Sequence, residues 1–428
     1  MEILFSSETS PVWKQVDIKL AGFRPRSYVR LTAAMDETQG KTFRSWADFV
    51  TDGEGRVDLT ADAPRYGTYS GVDPLGMFWS MELVKTPERP ADNGDKPLHM
   101  RFTAYQDGKS VNRTLERQLA ANGVEISRIS ENSLVAEYYR PAAETLSNII
   151  VFGGSGGGIE GGRSLARFLS GHGFGALALA YFGLPGLDFN LVRIPLEIIE
   201  NAIEYLKKRP DAAPGKIGVC GISRGGELSL LCGSVLNDIR AVAALTPSPI
   251  LWESEDIFNK APSFTYRGRD FPYVECDFSL AYEDMENGLP HAASPVYARA
   301  MTKEDECEKA MIEVERINGP VLMVSGDDDL VWPARELCAL AENRFKKYGF
   351  KHHYRHVTLE SAGHSVFSAG ILPTNFAYTS GMPTSADGQL TGSQGHKLLL
   401  GGKPRENALG QQRTRNELVS FFRDDAGF

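Results

Sequence analysis

Ile217-Gly218-Val219-Cys220-Gly221-Ile222-Ser223-Arg224-Gly225-Gly226-Glu227 is the stretch whose reading decides the fold. A short apolar strand runs into a glycine-bounded serine and out into a helix-like run from Glu227 to Leu236. In such a G-x-S-x-G elbow the strand-to-helix turn is sharp, and side chains at the glycine positions would clash with the neighbouring strand and helix. The serine Oγ is thereby pushed out at the C-terminal edge of a sheet, with the positive end of the helix dipole behind it. Ser223 is therefore the candidate nucleophile.

The pentapeptide alone is weak, because glycine and serine are common enough to produce it by chance, and Gly153-Gly154-Ser155-Gly156-Gly157 also matches it. Context separates the two. The earlier match follows the apolar strand Asn148 to Phe152 and lies two strands upstream of the later one. Between and beyond them, apolar strands alternate with amphipathic helices. Leu165, Phe168 and Leu169 have helical spacing, as do Leu196, Ile199, Ala202, Ile203 and Leu206; Gly175 to Ala180, Ala241 to Leu245 and Val321 to Val324 are strand-like. That alternation predicts a parallel α/β sheet. Trp252 to Ala300 breaks the rhythm and reads as an insertion near the site, such as a lid. Residues 1 to about 140 differ. Period-2 alternation at Val16, Ile18 and Leu20, at Val29 and Leu31, and at Leu98, Met100, Phe102 and Ala104 predicts short antiparallel strands, with turns at Gly53-Glu54-Gly55 and Asp107-Gly108. The expected division is a β-sandwich at 1–140 and a catalytic domain at 141–428 carrying an insertion near 252–300.

A nucleophilic serine needs a base and an acid. The strand Val321 to Val324 is followed by Ser325-Gly326-Asp327-Asp328-Asp329-Leu330-Val331-Trp332-Pro333. The frame Gly-x-x-Asp-x-x-x-Pro selects Asp329, with Asp328 the alternative and Asp327 a solvated turn residue. The acid's task is to accept Nδ1–H from the histidine, fixing its tautomer. Among 8 histidines, His364 follows the strand-like run Tyr354 to Leu359 in Ser361-Ala362-Gly363-His364-Ser365, and a Gly-His in such a loop suits a base; His356 lies inside the run and reads as structural. The order Ser223, Asp329, His364 is that of α/β hydrolases. The oxyanion donors are then expected at the Arg224 backbone N–H and in the Gly154-Ser155-Gly156 loop, with Ser155 and Gly156 as candidates. That loop has no Lys-Ser/Thr ending and no suitable fingerprint acid, so a nucleotide cradle is disfavoured. No His-x-x-x-His pair or Cys/His cluster suggests a metal, and no cofactor is expected.

Composition bounds the function. The chain has 428 residues and a formal net charge of −9, which argues against a nucleic-acid partner. No apolar run approaches the roughly 18 residues a membrane-spanning helix needs. The five cysteines are widely spaced and form no C-x-x-C pair, as in reduced cytoplasmic proteins. The first residues resemble no secretory signal and Asp425-Ala426-Gly427-Phe428 matches no organelle address, so a cytoplasmic location is the expectation.

With these residues placed, the sequence resembles the acyl-CoA thioesterase / bile acid-CoA:amino acid N-acyltransferase family along nearly its whole length. The similar segments are Tyr69-Ser70-Gly71-Val72-Asp73-Pro74-Leu75-Gly76-Met77-Phe78-Trp79-Ser80-Met81, Phe152 to Gly157, Ala178 to Phe182, Gly221 to Leu228, Gly326 to Asp329 with Trp332, Gly363-His364 and Leu400-Gly401-Gly402-Lys403-Pro404-Arg405. The resemblance implies an immunoglobulin-like β-sandwich ahead of an α/β-hydrolase domain, a triad on Ser223, Asp329 and His364, and an acyl-CoA substrate. Thioesterase members carry serine at the elbow and the bile acid transferase branch typically cysteine, so serine here implies hydrolysis. The other readings are transfer to an amine, general ester or amide hydrolysis, and a non-catalytic binding protein, which the intact triad opposes. Lys207, Lys208, Arg209 and Arg224 are basic residues that could offset the acidic balance near a polyanionic CoA, although the first three read rather as a solvated helix end. Nothing in the insertion reads as a clamp for an amine's carboxylate; Arg267, Arg269 and Arg299 could serve, but scattered surface arginines are the commoner case. Neither oligomeric state nor acyl length is legible.

Overall fold

The change of pattern along the sequence is a change of fold. A computed structural model describes residues 1–36, 42–85, 96–131, 134–254, 260–281, 283–284, 287–374, 378–380 and 397–428, which divide into two units. The first holds Met1–Ala121 and a returning segment that begins at Ser368. It contains a three-stranded sheet of Glu2–Phe5, Ile18–Ala21 and Val57–Asp58 and a larger antiparallel sheet centred on Tyr28–Asp36, Thr42–Val50, Leu98–Gln106 and Lys109–Gln118. Alternate residues are buried, as in Thr42–Val50, where Phe43, Ser45, Ala47 and Phe49 point inward. The rings of Phe5 and Phe102 meet at 5.3 Å across the two sheets, which makes this a β-sandwich. Asp107 and Gly108 both take positive φ, the geometry of a tight primed hairpin turn. The segment Tyr69 to Met81 is a structural plug in this unit: Asp73 accepts from the Leu75 N–H and the Trp79 indole, and the helical turn Gly76–Trp79 is buried.

The second unit is built on one eight-stranded sheet. Its strands are β1 (Glu125–Glu131), β2 (Leu134–Arg140), β3 (Leu146–Phe152), β4 (Gly175–Ala180), β5 (Ala212–Ile222), β6 (Ala241–Leu245), β7 (Val321–Gly326) and β8 (Tyr354–Leu359), in the order β1-β2-β4-β3-β5-β6-β7-β8. From β4 to β8 neighbours are parallel, while β1–β2 and β2–β4 are antiparallel. This is the α/β-hydrolase sheet. Its helices include α1 (Glu160–Ser170), α2 (Glu197–Lys207), α3 (Arg224–Val235), α4 (Ala334–Tyr348) and α5 (Pro404–Ser420). β4, β6 and β7 are buried at every position, as strands covered on both faces must be. α2 turns Ile198, Ile199, Ala202, Ile203 and Leu206 inward. Full burial of each larger side chain is worth about 1.5–3 kcal/mol, against 1 kcal/mol or less for an exposed ion pair such as Lys207–Glu204, so the apolar stripe seats the helix.

The expected boundary at 140 falls too late. Residues 125–131 and 134–140 are strands, but β2 pairs with β4 from Val135↔Ala180 to Tyr139↔Ala176, so they belong to the second unit. Alternation marks a strand with one buried face and is silent on which sheet supplies its partner. The insertion leaves the sheet between β6 and β7. Its Phe264–Tyr266 strand pairs in parallel with Ile194–Pro195, and its helix Ser294–Ala300 buries Val296 and Tyr297.

Candidate active site

Ser223 stands between β5 and α3 with φ 58° and ψ −121°, in the left-handed half of backbone space that a side-chain-bearing residue seldom occupies. Such a conformation costs on the order of 1–3 kcal/mol and persists only where the surroundings enforce it. Here the Ser223 N–H donates to the Leu245 carbonyl at 2.8 Å and its carbonyl accepts from Glu227 N–H at 3.0 Å. The flanking glycines are sterically required. A Cβ on Gly221 would lie 2.1 Å from the Gly225 carbonyl oxygen, and one on Gly225 would lie 2.3 Å from that of Gly153. The sharp elbow thus follows from residues that let α3 start directly against β5 and β3.

The second glycine-rich match forms the loop after β3 and lies against the serine. A Cβ on Gly154 would be 3.3 Å from Ser223 Cβ and 3.8 Å from its Oγ. The loop is fixed from behind, because the Tyr181 hydroxyl donates to the Gly153 carbonyl at 2.9 Å and Gly158 N–H to the Phe182 carbonyl at 3.0 Å. Ser155 and Gly156 follow Gly154 on this loop, and a Cβ at Gly156 would look into open space. Arg224 is the first residue of α3. Its side chain is buried and turned away from solvent: Nη1 donates to Glu227 Oε2 at 3.0 Å and Nη2 to the Glu253 carbonyl at 2.6 Å.

The three consecutive acids have three different partners. Asp329 Oδ2 meets His364 Nδ1 at 2.8 Å, and its Oδ1 accepts from the N–H groups of Val331 at 2.9 Å and Trp332 at 3.3 Å. Asp328 is exposed and accepts from Gly402 N–H at 3.0 Å; Asp327 is exposed and accepts from Ser361 N–H at 2.6 Å. Asp327 is therefore a loop-closing group as well as a solvated one. The Trp332 ring lies edge-on to His364, with centroids 5.8 Å apart, and its indole N–H donates to the Thr246 carbonyl at 3.0 Å. Thr246 directly follows Leu245, whose carbonyl holds Ser223, so one short bonded path joins the histidine loop to the elbow. Ser223, Asp329 and His364 are each less than a tenth exposed.

Several expected residues are engaged elsewhere. Lys207 pairs with Glu204 and Asp238, Arg209 with Asp211, and Arg224 with Glu227, so these three do not present free cations to a polyanion. Arg299 pairs with Asp277 at the surface and Arg267 lies over the Tyr266 ring. His356 is structural in its contacts, with Nε2 2.8 Å from Ser325 Oγ and Nδ1 3.3 Å from Glu342. Among the described residues no group of three or more His, Cys, Asp or Glu side chains is arranged to hold a metal, and no helix is long and apolar enough to cross a membrane.

The Leu400-Gly401-Gly402 segment, to which the sequence assigned no task, threads between the acid and histidine loops. Asp329 pairs with Gly401 and Ala362 with Gly402 in antiparallel bridges, and His364 N–H donates to the Leu400 carbonyl at 2.7 Å. The available signal was a Gly-Gly pair directly ahead of a Lys-Pro helix start.

Comparison with known proteins places this architecture. Residues 194–427 match the family described as "BAAT / Acyl-CoA thioester hydrolase C terminal", and residues 14–131 match "Acyl-CoA thioester hydrolase/BAAT N-terminal region". Acyl-coenzyme A thioesterase 1 of Mus musculus is 26% identical, over 96% of this chain and 93% of that protein. The Mus musculus peroxisomal succinyl-coenzyme A thioesterase is 27% identical over 78% of each. Among solved structures, a Mycobacterium tuberculosis puromycin-hydrolyzing peptidase is 12% identical with a TM-score of 0.44, covering 96% of this chain and 68% of that one.

Proposed function

This chain belongs to the BAAT / acyl-CoA thioester hydrolase family, and from that premise we propose that it cleaves acyl-CoA to free acid and CoA through an acyl-serine intermediate. The observation that carries the reading is the pairing of His364 Nδ1 with Asp329 at 2.8 Å, next to a strained serine elbow that a glycine loop abuts. In this scheme Asp329 keeps the Nδ1–H tautomer, leaving Nε2 as the base. Ser223 Oγ attacks the thioester carbonyl as its proton passes to Nε2. The tetrahedral oxyanion is met by the Arg224 N–H and by amides of the Gly154-Ser155-Gly156 loop. The C–S bond breaks, and His364 returns the proton to the departing sulfur of CoA. Water, deprotonated by the same nitrogen, then cleaves the acyl ester and restores the serine.

Hydrolysis is favoured over transfer to an amine. A serine ester is a less activated acyl donor than a cysteine thioester, which reduces an amine's advantage over water at the second step. Arg299, one of the arginines that could hold an amine's carboxylate, is paired at the surface with Asp277. The five cysteines are all free thiols, which suits a reducing compartment, and the cytoplasm is the location we retain. The test is thiol release from a panel of acyl-CoA substrates, with an organophosphonate label mapped by mass spectrometry. Label on Ser223 and free acid as product, unchanged by millimolar glycine or taurine, are the expected results. Label on Ser155 would overturn the nucleophile, and mainly N-acyl product would overturn hydrolysis.

A further inference from the structure

Three consecutive residues, Gly363, His364 and Ser365, are held through their backbones, and two of the three holds come from one face of one helix. Asn407 and Gln411 lie four residues apart in α5 and so share a face. Asn407 Oδ1 accepts from Gly363 N–H at 2.8 Å, and Gln411 Nε2 donates to the Ser365 carbonyl at 2.9 Å. Between them His364 N–H is bonded to the Leu400 carbonyl. Asn407 Nδ2 also donates to the Gly401 carbonyl at 3.3 Å, and Gly401 is the residue paired with Asp329. One side chain therefore touches both the histidine loop and the segment that braces the acid loop.

The sequence gives up helix stability to make this arrangement. Asparagine is among the weaker helix formers, at roughly 0.5–0.7 kcal/mol worse than alanine. Both amides are more than nine-tenths buried, where an unpaired amide is costly and an alanine or leucine would pack without that demand. The approach is also close. A Cβ on Gly363 would fall 2.3 Å from the Gly401 carbonyl, and α5 comes over the loop at Gly410, where a Cβ would be 3.4 Å from that of Ala362.

We propose that Asn407 and Gln411 form an amide clamp that positions the His364 ring between Asp329 and the nucleophile. Neither side chain touches reacting atoms, so both are positioning residues, and the inference rests on the reading of His364 as the base. A misplacement of about 1 Å in a reacting group costs on the order of 10²-fold in rate. Asn407→Leu and Gln411→Met keep approximate volume and remove the hydrogen bonds. Each should lower kcat for acyl-CoA hydrolysis by about 10–100-fold while KM stays within about threefold. The double variant should lose less than the product of the two, because the residues act on one loop.

Asn407→Asp retains the acceptor for Gly363 N–H and should recover at least about tenfold of what Asn407→Leu loses. Nuclear magnetic resonance should show the Nδ1 proton of His364 as a sharp downfield signal in the wild type and as a broadened one in both apolar variants. Leu409→Gln, on the exposed side of the same helix, serves as the control and should turn over normally. If leucine prevents folding at 407, Gln411→Met and Asn407→Ser carry the same test. His364→Ala is run in parallel. If it is inactive while the clamp variants keep wild-type kcat and an unchanged Nδ1 signal, the clamp is refuted and the triad stands. If it keeps full activity, the reading of His364 as the base is what fails.

Discussion

The second unit holds two sets of serine, histidine and acid: the proposed one of Ser223, His364 and Asp329, in which His364 is bonded to Asp329, and another of Ser325, His356 and Glu342, in which the histidine is bonded to both partners. The second has the fuller set of bonds, with Ser325 Oγ 2.8 Å from His356 Nε2. A carboxylate beside Nδ1 favours the proton there, which leaves Nε2 of His356 to accept from Ser325. What differs is the backbone. Ser325 lies inside β7 and His356 inside β8, paired through Ser325↔Thr358 and Met323↔His356, and Ser325 is wholly buried. Ser223, Asp329 and His364 all lie beyond strand ends, and only Ser223 has both the strained elbow and a glycine loop against it. Residue types and hydrogen bonds alone make a relay; strand-end placement, the strained elbow and the glycine loop against Ser223 are what set the proposed site apart.

The largest test of that contrast is a pair of serine deletions. Ser223→Ala should lower kcat on the order of 10⁶-fold, the scale seen when other Ser–His–Asp hydrolases lose their serine. Ser325→Ala should leave kcat within about threefold and instead cost about 1–3 kcal/mol of stability, since it strips a buried histidine of a partner. Thiol-release kinetics and thermal melts of both variants measure this. A reversal of the two outcomes would break the distinction.

The next effect sharpens it within a single loop. Asp329→Asn should lower kcat by about 10⁴-fold, because an amide beside Nδ1 favours the wrong imidazole tautomer. Asp327→Asn and Asp328→Asn should stay within about tenfold of wild type, because an amide oxygen still accepts from Ser361 or Gly402 N–H. Kinetics on the three single variants decide it. A loss at Asp328→Asn as large as at Asp329→Asn would show that bracing the Gly401–Gly402 segment matters as much as contacting the imidazole.

The site's parts differ in how far they can be read from sequence, and the reason is where their partners lie. Gly221 to Gly226 is legible because its demands are local: a tight turn needs glycine wherever it occurs. Asp329 is legible because Val331 and Trp332, which fix it, are two and three residues away. Asn407 and Gln411 are illegible because the groups through which they hold the histidine loop, Gly363 N–H and the Ser365 carbonyl, are backbone groups more than forty residues upstream. The sheet divides the same way. The apolar runs of β3 to β7 announce a buried parallel sheet, whereas β1 is mostly exposed and β2 mixes charged with apolar residues, so neither marks in sequence which sheet it joins. The fate of Arg224 was hidden for a related reason, because its partner Glu253 belongs to the insertion.

The smallest expected effect concerns the histidine of the second relay. Burial pushes the His356 pKa below its ordinary 6.5; Glu342 acts in the opposite direction and Arg335 in the same one. Above pH 6.5 the native and unfolded chains both hold this ring neutral, and it contributes no pH dependence. As pH falls below 6.5 the unfolded chain takes up a proton that the native state still refuses, so stability declines until the native pKa is passed. One such group gives at most about 1.4 kcal/mol per pH unit. His172 and His291 are also lowered by burial and act with the same sign, so His356→Gln should make the fall in Tm between pH 7 and 5 shallower without abolishing it. Calorimetric melts across that range measure the slope. The same variant should leave the pH dependence of kcat/KM where it is, because His356 serves β7 and α4 and not the reaction. A pH–rate profile that moved with His356 would mean that the two relays are coupled through β7, and the separation between a structural and a reactive constellation would fail at that strand.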